Sequence, residues 1–343
     1  MKRYRYLLLL VVLLLIAAYL YFSRTGSTLK SEYSDFAIED TASIDKIFIS
    51  DYEGQNALLE RQEDKTWTIN QKHKVRKDAI ELLLKTFNRI SVREPVSKSK
   101  FETVVKELAV KSTKVEIYTG GKKPYKVYYV GHATKTHYGT NMLLEIGGKK
   151  SSVPYITHVP GFFGYLSTRF FTDENLWRDR AIFELKADQI ASIEIRFLEK
   201  PVNSFRLERT ENSFALIDIN TMEKTSDVNQ VVAQDFFNKF KSVHFEFIDV
   251  ESSEETIDSV ISSPALHQII VEKTTGEKTE LYTYYKPVTD GTLNPVTGEP
   301  YKYNLDRLYG WVNKEDFVLM QWPTLDQILA YRQDFIAREN VEN

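Results

Sequence analysis

Few residues in this sequence stand where chemistry would need them. The six histidines are His73, His132, His137, His158, His244 and His267. His132 and His137 lie five apart in a stretch bounded by Gly131 and Gly139. Two imidazoles at that spacing could seat a metal ion, but solvated loop histidines are the better account. The run Glu251-Ser252-Ser253-Glu254-Glu255 offers carboxylates for general acid–base work. It fits a helix start better, because acidic side chains are favoured near the positive end of the helix dipole. The chain has no G-x-x-x-x-G-K-[ST], no G-x-S-x-G, no H-E-x-x-H and no EF-hand loop, which argues against an ATPase, an α/β-hydrolase or a zinc protease. With no cysteine there is no disulfide, thiolate zinc site, cysteine nucleophile or lipidated N-terminal cysteine. No catalytic, metal-binding or cofactor-binding residue is expected, no cofactor, and no enzyme.

Binding chemistry is better represented. Tyr282, Tyr284, Tyr285, Tyr301, Tyr303, Tyr309 and Trp311 crowd into 30 residues. Packing on both faces of a sheet is one account of them. The other is a platform for a sugar or peptide, which planar amphipathic rings suit; Tyr282, Tyr284, Tyr301, Tyr303 and Trp311 are its candidate surface. The loop Pro287 to Pro300, with three Pro and two Gly, is the clearest long connection in the chain. A second aromatic group, Phe162, Phe163, Tyr165, Phe170 and Phe171, is expected as a short helix packed between two domains, with an exposed docking patch as the alternative.

These groups need a frame. The chain has 343 residues, a net charge of −3, 42% hydrophobic and 27% charged residues, which excludes disorder and favours two domains. Lys2, Arg3 and Arg5 precede an uninterrupted apolar run from Leu7 to Phe22. From Tyr4 that run would make a helix of roughly 29 Å, close to the hydrocarbon thickness of a bilayer. Tyrosines flank both ends, and the basic bias puts the N-terminus in the cytoplasm and the rest outside it. Residues 1–22 are therefore expected to be a single-pass transmembrane anchor in lipid, lined by Leu7, Leu10, Leu13, Ile16 and Leu20, in a bacterial inner membrane. A cleaved signal peptide is the rival, but the bulky Tyr21-Phe22-Ser23-Arg24 stands where small residues are wanted. Residues 23–43 read as a polar juxtamembrane tether.

Beyond the tether the chain repeats itself. Ile44-Asp45-Lys46-Ile47-Phe48-Ile49 resembles Ile190-Ala191-Ser192-Ile193-Glu194-Ile195. Leu59-Glu60-Arg61 returns as Leu207-Glu208-Arg209, and Thr66 to Asn70 as Ser213 to Asp218, all at an offset of 146 to 148. Amphipathic helices follow at Lys77 to Phe87 and Asn229 to Phe240, then short helices at Phe101 to Leu108 and Ser253 to Ile261. Hairpins follow in turn, about Gly120-Gly121 and Thr275-Gly276. The expected fold is α+β: an N-terminal transmembrane helix, then two tandem repeats, each a mostly antiparallel sheet with two helices on one face. The boundaries are 44–158 for the first repeat, 159–189 for the aromatic-rich segment, 190–322 for the second repeat and 323–343 for a C-terminal helix.

Charge separates the copies. Residues 44–180 hold 24 Lys and Arg against 16 Asp and Glu, a net of +8; residues 181–343 hold 16 against 28, a net of −12. Docking of one copy on the other would use that difference. So would a basic copy facing anionic headgroups or an acidic partner.

At Leu176-Trp177-Arg178-Asp179-Arg180-Ala181-Ile182-Phe183, and at Asp188-Gln189-Ile190-Ala191-Ser192-Ile193, the chain resembles the DUF4340 family of bacterial proteins. The resemblance spans roughly residues 44–330 and includes the tryptophan-bearing strand Thr66 to Ile69. It implies an auxiliary protein encoded beside ABC exporter subunits of the gliding-motility type; the family has no assigned activity. Together these expectations describe a membrane-anchored, extracytoplasmic accessory or scaffold protein of an envelope complex. Its expected partners are proteins, exporter subunits among them, and not nucleic acid. The alternative is an envelope glycan- or peptide-binding module using the tyrosine-rich second repeat.

Overall fold

The computed structural model describes residues 35–288 and 291–336. The chain divides into two compact units between Asp179 and Arg180. In the first, alternating apolar residues build strands β1 (Lys46–Ser50), β2 (Asn56–Arg61), β3 (Trp67–Ile69), β4 (His73–Lys74) and β5 (Ser91–Pro95). They continue as β6 (Thr113–Tyr118), β7 (Lys126–Ala133), β8 (Thr140–Ile146), β9 (Lys149–Lys150) and β10 (Tyr155–His158). All pair antiparallel in one sheet of order β4-β3-β2-β1-β6-β7-β8-β10-β5, with β9 beside β8.

Helix α1 (Lys77–Arg89) carries Asp78 in its first turn and Arg89 in its last, both suited to the helix dipole. It buries Ala79, Ile80, Leu83 and Phe87, a stripe at helical spacing. That stripe covers one sheet face, meeting Ile47, Ile117, Tyr128 and Leu144. Helix α2 (Lys98–Lys111) lies across β7 and β8. Its Val104 and Leu108 pack with Val96 against Leu143 and Ile156, which point to the opposite face. The helix comes this close because residue 131 is glycine: a Cβ there would stand 2.8 Å from Leu108 Cδ2 and 3.0 Å from the Asn141 carbonyl.

The chain segment before β1 is fastened into this unit by a buried cation. Phe36 and Ile38 sit in the core. The Ile38 amide donates to the Phe87 carbonyl and the Tyr128 hydroxyl to the Phe36 carbonyl. Lys126, only 2% exposed, donates from Nζ to the carbonyls of Asp35 (2.7 Å) and Ala37 (2.6 Å), with the Asp35 carboxylate at 3.3 Å. Burial pulls the lysine below its usual pKa range, and the Asp35 charge opposes that shift.

The second unit contains β11 (Ala181–Phe183), β12 (Ile190–Phe197), β13 (Phe205–Arg209), β14 (Phe214–Asp218), β15 (Lys224–Thr225) and β16 (Val243–His244). It continues with β17 (Phe247–Ile248), β18 (His267–Lys273), β19 (Lys278–Pro287), β20 (Tyr303–Val312) and β21 (Asp316–Gln321). Strands β11 and β16 form a small ribbon; the rest form a sheet of order β15-β14-β13-β12-β18-β19-β20-β21-β17. Strand for strand, this is the order of the first sheet. Helix α4 (Gln230–Asn238) is capped by the Asn229 side chain, which accepts from the Val232 amide. It buries Ala233, Phe236 and Phe237 on one face. Helix α5 (Glu254–Ile261), capped by Ser253 with Glu254 and Glu255 in its first turn, covers the other through Ile257, Val260 and Ile261.

Three expectations are corrected. The α+β arrangement with two helices on one face does not occur: strands dominate the described fold, and each large sheet carries one helix on each face. The reason is that alternate residues on both sides are apolar, as Leu144 and Leu143 on β8 or Met320 and Leu319 on β21. The membrane-spanning helix is withdrawn from the fold. Its residues, Leu7, Leu10, Leu13, Ile16 and Leu20 among them, lie outside the described residues, and no helix among the described residues is long and apolar enough to cross a membrane. The single C-terminal helix is instead helix α6 (Trp322–Asp326) followed by a 3-10 turn at Arg332–Phe335. Tyr331 is extended there, and the Asp334 carboxylate accepts its amide, a local bond that competes with helix continuation. The short helix α3 (Glu174–Trp177) completes the first unit.

Replacing Lys126 with Met keeps the volume and removes the ammonium's bonds. Lys126→Met is expected to lower unfolding stability by about 2–3 kcal/mol, since two carbonyls lose their donor. Denaturant titration reads the loss, and faster amide exchange at Ile38 localises it.

Candidate binding surfaces

The tyrosine-rich region of the second unit is divided by the sheet. Tyr282 and Tyr284 on β19 face the α5 side, as do their cross-strand partners Trp311 and Tyr309. Tyr284 is 3% exposed, and Tyr282 and Trp311 pack against the same cluster. The Tyr282 hydroxyl donates to Glu280 at 2.9 Å and accepts from Gln268 at 2.8 Å; burial first, then the Glu280 carboxylate, raises its pKa to about 12. Tyr303 stacks on Tyr285 at 4.1 Å with Trp322 beside them, and Tyr301 lies in the β19–β20 connection. The five candidates therefore do not share one platform.

The aromatic segment expected between the units folds into the first. Leu166, Phe170 and Trp177 enter its core, and Phe171 lies against Trp177, whose indole donates to the Phe171 carbonyl. Phe162, Phe163 and Tyr165 point outward, Phe163 being 85% exposed. Phe163 meets the exposed Tyr138 edge-on at 6.1 Å, and Tyr165 lies 5.9 Å from His137. His137 and Tyr138 belong to the β7–β8 loop, which closes through a bond from the Thr134 amide to the Gly139 carbonyl. Gly139 sits so close to β10 that a Cβ would stand 2.6 Å from Ile156 Cγ2.

The same loop walls a cavity of about 590 Å³ beside α2. Strand β5 contributes Arg93 and Glu94, α2 contributes Lys100 and Glu107, and the loop contributes Lys135 with His132 at its base. Arg93 Nη1 donates to the Tyr138 carbonyl at 2.9 Å, tying edge strand to loop. His132 and His137 thus serve different sides of one loop, the cavity wall and the aromatic cluster, and no group of three or more His, Cys, Asp or Glu able to hold a metal occurs among the described residues. This cavity was not readable in the sequence; the signal that marks it is Gly131 and Gly139, spaced to let a loop and a helix close on one strand pair.

Elsewhere, Glu246 and His267 are engaged in the second unit's own packing. Glu246 is held below the usual carboxylate range, first by hydrogen bonds from Arg307, whose guanidinium grips both of its oxygens at 2.7 and 2.9 Å. His267 is half-buried edge-on to Phe197, with Nδ1 2.9 Å from the Thr283 hydroxyl. Desolvation lowers its pKa to about 4. Comparison with protein-family models, curated proteins and solved structures finds no match to this chain.

The His267 shift has a signed consequence. Above pH 6.5 the ring is neutral folded or unfolded. Between pH 6.5 and about 4 only the unfolded chain takes up the proton, so stability falls as pH falls, by up to about 1.4 kcal/mol per pH unit. Subtracting the pH–stability curve of His267→Gln from that of the native chain should isolate this slope; a flat difference would place the ring in water.

Proposed function

We propose that this chain is a non-catalytic accessory or scaffold protein of a bacterial envelope complex outside the cytoplasm, with an ABC-type exporter as the partner assembly. One observation carries the reading: two units share a strand order and have separate cores, yet residues 44–180 carry a net +8 and residues 181–343 a net −12. A single chain that offers a basic and an acidic surface on the same frame can hold two partners of different charge. Such fields speed encounter and set orientation more than they add affinity. The exporter comes from the resemblance of Leu176 to Phe183 and Asp188 to Ile193 to the DUF4340 family, and a protein partner suits it better than nucleic acid. The proposal does not rest on a spanning helix. The glycan- or peptide-binding alternative in the second unit has less behind it, because Tyr284 lies beneath α5 and its neighbours pack there.

Crosslinked pull-down of the tagged full chain from native membranes tests this. Exporter subunits should be captured reproducibly. The exposed turn lysines Lys122 and Lys123, reversed together with Lys149 and Lys150 to Glu, should cut that capture by more than about half, since like charges facing a partner repel. Recovery of bulk membrane protein alone, or equal capture by the reversed chain, would count against the proposal.

A further inference from the structure

Because the two sheets have one strand order, the space beside α2 in the first unit has a counterpart beside α5 in the second. In the second that space is filled by Tyr284, Tyr309, Phe317 and Leu319. In the first, α2 packs through Val104 and Leu108, and the remainder is the 590 Å³ cavity. That volume lies within the ~300–1,000 Å³ usual for small-ligand sites. On one frame, one face is thus closed with rings and its counterpart is open and polar.

The polar lining has a direction. Arg93, Lys100 and Lys135 reach the cavity from three different elements, and none of them is within 4.0 Å of a carboxylate among the described residues. By contrast Lys114, Lys126, Arg206 and Arg307 are all paired. Between the cations stand Thr103, Thr136 and Asn141, which can both donate and accept, and the acceptors Glu94 and Glu107. The loop's outer side then offers the exposed rings of Tyr138 and Phe163.

We propose that this cavity, together with the ring pair on the outer side of its loop, binds an acidic oligosaccharide. The cations take the sugar carboxylates through charge-assisted hydrogen bonds. The amide, hydroxyl and carboxylate side chains take the ring hydroxyls. The next residue of the glycan lies against Phe163 and Tyr138, whose flat apolar faces suit the C–H side of a pyranose. A peptide fits less well. The one strand edge at the site is β5, which is five residues long, ends in Pro95 and faces a register shift at Ile156/Thr157. An edge blunted in this way is a poor template for strand addition. The site goes beyond the accessory role and stands apart from it; its loss would leave exporter capture by the full chain unchanged.

Calorimetric titration of the full-length protein tests it, with oligogalacturonate as the probe. Malto-oligosaccharide serves as the neutral comparison and poly-L-glutamate as the acidic peptide. Oligogalacturonate should bind, and malto-oligosaccharide should bind at least about tenfold more weakly if carboxylates are recognised. Arg93→Ala with Lys135→Ala should weaken oligogalacturonate binding by about tenfold or more, and Phe163→Ala by severalfold. Lys122→Glu with Lys123→Glu, remote from the cavity, should leave it unchanged. All of these positions are exposed, but Arg93→Ala also releases the Tyr138 carbonyl, so Lys135→Ala alone keeps the test should the double variant melt early. The proposal is overturned if oligogalacturonate does not bind or if poly-L-glutamate binds as tightly. It is also overturned if the neutral sugar matches the acidic one, or if the remote pair weakens binding as much as the cavity pair.

Discussion

Each large sheet in this protein is apolar on both sides, and water cannot be left against either. On β8, Met142 and Leu144 look one way and Leu143 the other; on β21, Val318 and Met320 oppose Phe317 and Leu319. Exposing either set would cost roughly 25 cal/mol for each Å² of apolar surface. A single layer of helices is therefore not enough. Helices α2 and α5 close the second face, and the loops around them follow. Gly131 sets how close α2 can come, and Gly139 how close the β7–β8 loop lies to β10. The cavity is what remains when that second cover is drawn from a few aliphatic residues instead of a set of rings.

Lys126 is a second constraint of the same origin. It occupies the first position of β7, 2% exposed, where the chain segment at residues 35–38 crosses the core edge. That segment joins no strand, so its carbonyls have no ladder partner. An ammonium with three donors satisfies two of those carbonyls and also faces a carboxylate. Burying the charge is expensive alone and tolerable only with that full set of acceptors. The Tyr128 hydroxyl and the Ile38 amide act in the same place, so the segment is held at successive residues from Asp35 to Ile38.

Much of this was legible in the sequence, for reasons that also mark the limits. The stripes of α1 and α4 and the hairpins about Gly120-Gly121 and Thr275-Gly276 are local patterns, and local patterns need no knowledge of the rest of the chain. The Ser253 cap with its following glutamates is equally local. What was not legible depends on the far side of the sheet. Alternation in a strand separates its two faces but does not say that the polar-looking face is wet. Tyr282, Tyr284 and Trp311 read as sheet packing, with a platform as the other account, and α5 shows which face they pack on. A cavity is harder still, since it is made by side chains that are too small or too short. Lys126 looks like any exposed lysine of an alternating strand until the segment from Asp35 to Ala37 is laid over it.

The two units show how one frame can keep its core plan while its surface diverges. Their strand order and their α1- and α4-side cores are held to one plan, because changing a fully buried Ile or Phe costs several kcal/mol. Surface charge meets little such resistance: exposed substitutions away from special contacts are usually worth only a few tenths of a kcal/mol. So net charge could drift to +8 in one copy and −12 in the other while the sheets stayed alike. The α2 and α5 faces lie between these limits. They are covered, yet α2 buries only Val104 and Leu108 and α5 meets its sheet through half-buried residues, so their filling can be exchanged for polar space at modest cost. In the second unit that face is closed by aromatic rings, and in the first it is open and edged with cations that meet no carboxylate among the described residues. Function in such a frame is expected where the cover is thinnest, because a layer that contributes least to stability is the one that can be opened without unfolding the rest.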